Sequence, residues 1–429
     1  MAAPLAWLAV PTFQTSPGMR DVLAPESARW RGFTSVFAGV VEAAGYQQVV
    51  PPLLEDLGVF TRIGEATDVV TKEMYDFVDK GDRHVALRPE QTASVCRAFV
   101  EHRPLLPWKT WYSGPNFRYE KPQRGRYRQF DQVGIEVLGV EDPHLDVEVI
   151  ALGWDFYRRL GLQQVSLLVN SLGEPDDRTR YVEALREHFT AAGDALSEQS
   201  RATLDKNPLR VLDSKREQDA PLIESAPTIE SFWSPEASAH FAAVVAGLEA
   251  LGIPFTVDPK LVRGLDYYRR TTFEFVGGTL DSAQNALGGG GRYDGLVEAL
   301  GGPPTAGIGF ALGVERALIA CDDEGVFPAP DTSVDVFVVD TTGGDHALRL
   351  TAELRAAGIS ADRAYDQRSM KAQIKAADRS GAAVAVIIGT AEVDAGTVVV
   401  RPMRSRDAQV AVGRDTLIEE LQQRLQEAS

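Results

Sequence analysis

Apolar positions between residues 28 and 44 recur at helical spacing: Trp30, Phe33, Phe37, Val40, Val41 and Ala44 fall on one face. The pattern predicts an amphipathic helix that Gly45 ends, followed by an extended segment, "YQQVVPPLLE", interrupted by Pro51 and Pro52. "RHVALRPEQTASVCRAFVEH" reads as a strand, a proline-marked turn and a helix, with Glu90 and Thr92 where the helix starts. "TWYSGPNFRYE" and "YRQFDQVGIEVLG" read as the two strands of a hairpin, joined by "KPQRGR".

Strand parity sharpens the hairpin. Val133, Ile135 and Val137 share one face of the second strand; Arg128, Phe130, Gln132 and Glu136 share the other. Arg118 and Glu120 share a face of the first. A polar, charged and aromatic face in the middle of a large protein suits the floor of a polar pocket.

From Glu174 the pattern turns helical and more polar, which predicts a helical insertion over 174–252 between two parts of one domain, 1–173 and 253–327. "LVRGLDYYRRTTFEFV" reads as two strand pieces, "GGGGRYDGL" as a glycine loop, and "AGIGFALGVERALIA" as a strand running into a helix. The proline-rich stretch 328–333 reads as a linker. Beyond it, over 334–429, "DVFVV", "AVAVII" and "GTVVVRP" alternate with helical segments near 345–357, 369–380 and 415–427, a small α/β domain of its own.

The 429 residues exceed one ordinary core. A net charge of -17 argues against a protein that coats nucleic acid nonspecifically, yet allows a local basic surface. Two cysteines far apart give neither a disulfide framework nor a ligand spacing, so a reducing, cytoplasmic setting is expected and no zinc site is read. The apolar start lacks a basic n-region, so no signal peptide is expected, and no stretch is long enough to span a membrane.

Against that charge balance, Phe117 to Gln132 holds Arg118, Lys121, Arg124, Arg126 and Arg128. Two readings stand open: a salt-bridged surface hairpin, or a pocket whose planar guanidinium forks meet phosphate. The glycine run lacks the Lys and Ser/Thr of a P-loop. Arg316, set amid apolar residues, needs a partner, and a ligand phosphate or an adenine face would supply one.

In combination and order these segments resemble the histidyl-tRNA synthetase family of class II aminoacyl-tRNA synthetases. "GMRDVLAPES" and the helix to Pro51 resemble the first class motif, a dimer element; "FRYEKPQRGRYRQFDQ" resembles the second and "GIGFALGVERAL" the third. "LVRGLDYY" and "GGGGRYDGL" resemble the two segments peculiar to the histidine enzymes. The resemblance runs from about residue 16 to the C-terminus. It implies an α+β catalytic domain with a mixed, mainly antiparallel sheet, a helical insertion, and a C-terminal α/β anticodon-binding domain.

It also implies an activity: ATP-dependent ligation of L-histidine to tRNA(His) through histidyl-adenylate, in a homodimer, with Mg2+ on the outer phosphates and no metal site from protein motifs alone. The resemblance assigns Arg118 and Arg263 to the α-phosphate as the catalytic pair. Histidine falls to Glu90, Gln91, Thr92, Arg118, Gln132, Glu136, Arg263, Tyr267, Tyr268 and Tyr293. ATP falls to Arg118, Glu120, Arg126, Phe130 and Arg316, with Phe130 stacking on adenine and Arg316 covering it. Arg124 is implied to meet pyrophosphate or the tRNA acceptor end. Arg368, Lys371, Lys375 and Arg379, at spacings of three and four, form a basic helical stripe for tRNA, opposite a core-facing stripe of Met370, Ile374 and Ala377.

Three positions depart from the family pattern: Gln91 for a glycine, Asp131 for a common histidine, and Arg269 for asparagine or lysine. Three rivals remain beside the ligase. One is the regulatory subunit of ATP phosphoribosyltransferase, which lacks the last domain. Another is a class II synthetase for proline, threonine or glycine. The third is a protein-binding or signalling derivative that binds tRNA without forming an adenylate.

Overall fold

In the computed structural model, which describes residues 13–62, 69–262, 264, 267–280, 285–365, 368–405 and 408–427, the chain divides into two compact units, Met1–Ala329 and Pro330–Ser429. In chain order the first unit carries α1 (Glu26–Ala43), β1 (Gln47–Gln48), β2 (Leu54–Asp56), α2 (Gly58–Thr61), β3 (Tyr75–Val78), β4 (His84–Leu87) and α3 (Thr92–His102). Next come β5 (Trp108–Phe117), β6 (Gln129–Leu138), α4 (Pro143–Arg159), β7 (Val165–Ser171), α5 (Pro175–Ala191), α6 (Glu198–Lys206), α7 (Ala220–Glu224) and α8 (Pro235–Ala250). The unit continues through β8 (Thr256–Val257), β9 (Arg269–Gly277), β10 (Ala286–Arg292), α9 (Leu296–Ala299), β11 (Gly307–Gly313) and α10 (Val314–Glu324).

Eight of these strands form one sheet in the order β1-β5-β6-β11-β10-β9-β7-β8. Its outermost pairs, β1 with β5 and β7 with β8, run parallel, and every pair between them is antiparallel. The core lies against one face. Val133, Ile135 and Val137 of β6 join Ile308, Phe310 and Leu312 of β11 and Phe273 and Phe275 of β9 under Phe33 and Phe37 of α1 and Phe156 of α4. The alternation read from β6 therefore separates core from site.

The predicted helix on 28–44 forms as α1, and the strand, turn and helix of 84–102 form as β4 and α3. The expected insertion, 174–252, divides by packing. Tyr181, Leu185, Leu209 and Ile229 make a small core of their own. Phe241, Val244 and Leu248 of α8 instead pack into the main core.

Three expectations are corrected. The glycine loop is strand β10, with Gly288–Gly291 laddered to β9 and β11. Poor strand propensity is overridden by two hydrogen-bonded neighbours and by the need for close approach. A Cβ on Gly290 would collide with the Gly309 carbonyl oxygen. The first hairpin strand ends at Phe117, so Arg118 and Glu120 share no strand face. Of the two strand pieces read in "LVRGLDYYRRTTFEFV", only β9 forms among the described residues.

The second unit carries β12 (Val336–Asp340), α11 (Asp345–Ala356), β13 (Ala361–Arg363), α12 (Met370–Arg379), β14 (Val384–Ile388), α13 (Thr390–Ala395), β15 (Thr397–Pro402), β16 (Val410–Gly413) and α14 (Leu417–Glu427). Its five-stranded sheet has the order β13-β12-β14-β15-β16. No helix among the described residues is long and apolar enough to cross a membrane.

Candidate active site

A cavity of about 300 Å³ opens on the sheet face opposite the main core. Glu90, Thr92, Arg118, Glu120, Arg126, Phe130, Gln132, Tyr267, Tyr268 and Arg316 all line it. Residues spread over some 230 positions of sequence thus meet in one place.

The hairpin register explains the floor. Gln132 lies opposite Gly114 on β5 and Gly313 on β11; Glu136 lies opposite Thr110 and Gly309. Gln132 Oε1 accepts from Asn116 Nδ2 at 2.8 Å, which fixes its amide. Phe130 lies under the Arg118 guanidinium, 5.2 Å from the ring centre. Arg118 Nε donates to the Pro89 carbonyl at 3.0 Å, tying the hairpin to the turn before α3.

That turn supplies the second wall. Both oxygens of Glu90 accept backbone hydrogen bonds, from Thr92 N and Ala93 N, each at 2.8 Å. A carboxylate at a helix N-terminus satisfies amides that have no partner inside the helix. Burial pushes the Glu90 pKa up, and these amides pull against it. Gln91 departs from its assignment: its side chain is buried away from the cavity, with Nε2 donating to the Gly114 carbonyl at 3.3 Å.

Glu136 and Tyr293 lie behind the wall rather than in it. Glu136 is fully buried and accepts from Thr92 Oγ1 at 2.6 Å, Tyr293 OH at 2.5 Å and Tyr112 OH at 3.1 Å. Burial pushes its pKa up to about 8, with the hydroxyls pulling the other way. Room for it comes from glycine: a Cβ on Gly309 would fall on the Glu136 carboxylate, and one on Gly307 on the Tyr293 ring. Tyr267 meets Tyr293 edge to face at 5.9 Å and Tyr268 at 4.7 Å.

The basic stretch is shared among several tasks. Arg126 is paired to Glu120, whose ionisation burial opposes; Arg126 and Arg118 outweigh that and hold its pKa low. Arg316 donates to the carbonyls of Gly125 at 3.2 Å and Ala286 at 3.0 Å, so backbone oxygens supply the partner that its setting demanded. Arg124 is exposed and pairs with Asp323 of α10 at 3.0 Å. Arg263 lies outside the described residues.

In the second unit Arg368, Lys371, Lys375 and Arg379 are all exposed around α12. Its core-facing side differs from expectation. Met370 is 48% exposed, and Gln373 is buried instead, bonding the backbone N and O of Asp340. A polar side chain can face a core when a strand end offers both a donor and an acceptor.

The sequence reading missed Tyr112, Asn116 and Glu315. The first two were within reach of parity, since 110, 112, 114 and 116 of β5 face the same side as 132 and 136 once the hairpin is registered. Glu315 lines the cavity, accepts from Asp131 N at 3.1 and 3.2 Å, and is pushed up to about 7 by burial. Asp131 is likewise pushed up to about 6 by burial, with Arg88 opposing.

Comparison with known proteins follows the same lines. The family profile described as histidyl-tRNA synthetase matches residues 18–317, and that described as anticodon binding domain matches 333–424. A histidine--tRNA ligase of Rhodococcus erythropolis is 47% identical over 416 residues, covering 96% of this chain and 97% of the relative. The crystal structure of apo S. aureus histidyl-tRNA synthetase superposes with a TM-score of 0.81 at 37% identity, covering 96% of this chain and all of that one. A Bacillus halodurans structure described as an ATP phosphoribosyltransferase regulatory subunit/histidyl-tRNA synthetase has a TM-score of 0.62 at 21% identity, covering 82% of this chain and 93% of that one; it shares the fold.

Proposed function

The chain belongs to the histidyl-tRNA synthetase family and charges tRNA with histidine; on that premise we propose that the cavity beside β6 binds histidine and ATP together and joins them as histidyl-adenylate. The observation that carries this reading is the convergence on one cavity of Glu90, Thr92 and Gln132 with Arg118, Phe130 and Arg316.

The chemistry asks for positioning more than proton transfer. The histidine carboxylate, already ionised at neutral pH, attacks the α-phosphorus; the bond to the bridging oxygen breaks, and pyrophosphate leaves. A 3′-terminal adenosine hydroxyl of tRNA then attacks the histidyl carbonyl, loses its proton and releases AMP. Arg118 and Arg263 take the α-phosphate, and their fixed charges stabilise it as a fifth oxygen approaches. Phe130 offers a stacking face, with Arg316 and Glu120 at the nucleotide and Arg126 free to exchange Glu120 for phosphate.

Histidine recognition follows from its ring. A neutral imidazole has one donor and one acceptor nitrogen. Tyr268 and Thr92 supply hydroxyl partners, Glu136 with Tyr293 acts on the ring through Thr92 from behind the wall, and Tyr267 closes the wall. Glu90, Thr92 and Gln132 take the α-amino group. Gln91 acts from behind, through Gly114.

Mg2+ belongs to the same reading. The described residues hold no cluster of three or more metal-ligating side chains. Glu315, and Glu120 once Arg126 turns to phosphate, are the cavity carboxylates on hand beside the nucleotide. That donor set fits an ion carried chiefly by the outer phosphates, which it would neutralise. The second unit takes the anticodon, with the α12 stripe as cationic contacts, and Arg124 of the first unit meets pyrophosphate or the tRNA acceptor end. Exposed Val50, Leu53 and Leu54, at the C-terminal end of the segment resembling the first class motif, support a homodimer. Buried free thiols at Cys96 and Cys321 support a cytoplasmic setting.

Amino-acid-dependent ATP–pyrophosphate exchange tests the reading. Exchange is expected with histidine and with no other amino acid, and Arg118→Ala should abolish it. Exchange with a different amino acid would overturn the pocket assignment.

A further inference from the structure

Arg292 is fully buried, and no step of the reaction touches it. All three guanidinium nitrogens are engaged. Nε donates to Asp146 Oδ2 at 3.1 Å, and Nη2 lies 2.6 Å from Asp146 Oδ1 and donates to the Asp142 carbonyl at 3.1 Å. Nη1 donates to the Val140 carbonyl at 3.0 Å and reaches Asp294 Oδ1 at 3.5 Å. His240 of α8 stands 3.6 Å from Asp146, and burial, then Arg292, draws its pKa down to about 4, so it brings no charge at neutral pH.

The place of this clamp matters. Strand β10 shifts register against β9 between Gly291 and Arg292, so that at this point the ladder to β11, which continues through Arg292 opposite Ile308, holds the backbone from one side. The next residue is Tyr293, whose hydroxyl reaches Glu136 and whose ring backs Tyr267 of the cavity wall. Asp294 Oδ1 accepts from Gly307 N at 3.0 Å, pinning the other side of Tyr293.

Stability alone gives little reason for a buried bidentate ion pair, because well-packed apolar replacements often do as well or better. What a guanidinium on a carboxylate supplies is fixed geometry. We propose that Arg292, held by Asp146, is a positioning residue for histidine recognition: it sets the backbone at the break in β10 so that Tyr293 meets Glu136 and supports Tyr267. The inference rests on the proposed role of Glu136 and Tyr293 in the histidine pocket.

The test is a double-mutant cycle read by pyrophosphate exchange, with Arg292→Lys, Tyr293→Phe and the pair together. Each single change is expected to raise KM for histidine about tenfold and leave KM for ATP within about twofold. The double variant should be no worse than the poorer single. An Arg292→Lys effect that persists undiminished in the Tyr293→Phe background would overturn the proposal, as would a parallel rise in KM for ATP. An unchanged histidine KM in Tyr293→Phe alone would remove the pocket reading, and this inference with it. If Arg292→Lys fails to fold, Asp146→Asn enters the same cycle, because it keeps the size of the partner and the carbonyl contacts of Arg292.

Discussion

Thr92 Oγ1 donates to Glu136 Oε1 at 2.6 Å, joining the first turn of α3 to the centre of β6. Thr92 faces the cavity and Glu136 lies behind it, so this bond connects the ligand side of the wall to a buried carboxyl. The carboxyl is therefore sensed through hydroxyl groups.

Thr92→Val keeps the shape and removes that donor. A hydrogen bond to a carboxyl left unmade costs about 1–3 kcal/mol. Pyrophosphate-exchange kinetics should show KM for histidine rising about tenfold, with KM for ATP near wild type and Thr92→Ser restoring most of the loss. Equal rises in both KM values would detach the hydroxyl from histidine.

Stability should fall as pH rises above neutral. The folded protein holds the Glu136 proton up to about 8, whereas an unfolded chain releases it near the usual 4.5. The stabilisation is thus complete below about 4.5 and is lost as pH climbs through about 8. Asp131 and Glu315, raised to about 6 and about 7, act with the same sign lower in the range. Thermal melts from about pH 6 to about pH 9 should show Tm falling, and Glu136→Gln should flatten the part above about pH 7. An unaltered slope in that variant would place the titration elsewhere.

Gly309→Ala should be severely destabilising. Its Cβ would overlap the Glu136 carboxylate and the Ile135 carbonyl oxygen, in a sheet flanked on both sides. Overpacking of this kind typically costs about 1–3 kcal/mol or more. Gly39→Ala in α1, where a Cβ meets nothing within 4 Å, should instead gain about 0.5–1 kcal/mol from helix propensity. Denaturant melts of the two variants would separate these outcomes; similar stabilities would discredit the close approach.

Lys371→Glu with Lys375→Glu should weaken tRNA binding and leave histidine-dependent exchange intact, because both side chains are exposed on α12 in the second unit. Filter binding at several salt concentrations should give a log–log slope shallower by about 0.7–0.9 per lost phosphate contact. Unchanged affinity at low salt would make the stripe a solvated face.

Some of this molecule was decided locally. Period-two alternation from Phe130 to Val137 fixes which side of β6 carries chemistry, because side chains alternate with the pleat wherever the strand lies, whereas Arg128 falls before the strand begins. Helical spacing over Trp30 to Ala44 does the same for the buried face of α1. Tertiary structure decided what depends on neighbours distant in sequence. Gly288–Gly291 became a strand because β9 and β11 flank it, and no local propensity encodes that. Gln373, rather than Met370, turned inward because the end of β12 offered Asp340 N and O. Glu136 slipped behind the wall, and Arg292 found Asp146, because β11 and α4 close over them. Which buried polar group meets which partner is a property of the assembled sheet, since each such group needs a specific donor or acceptor that the chain brings from far away.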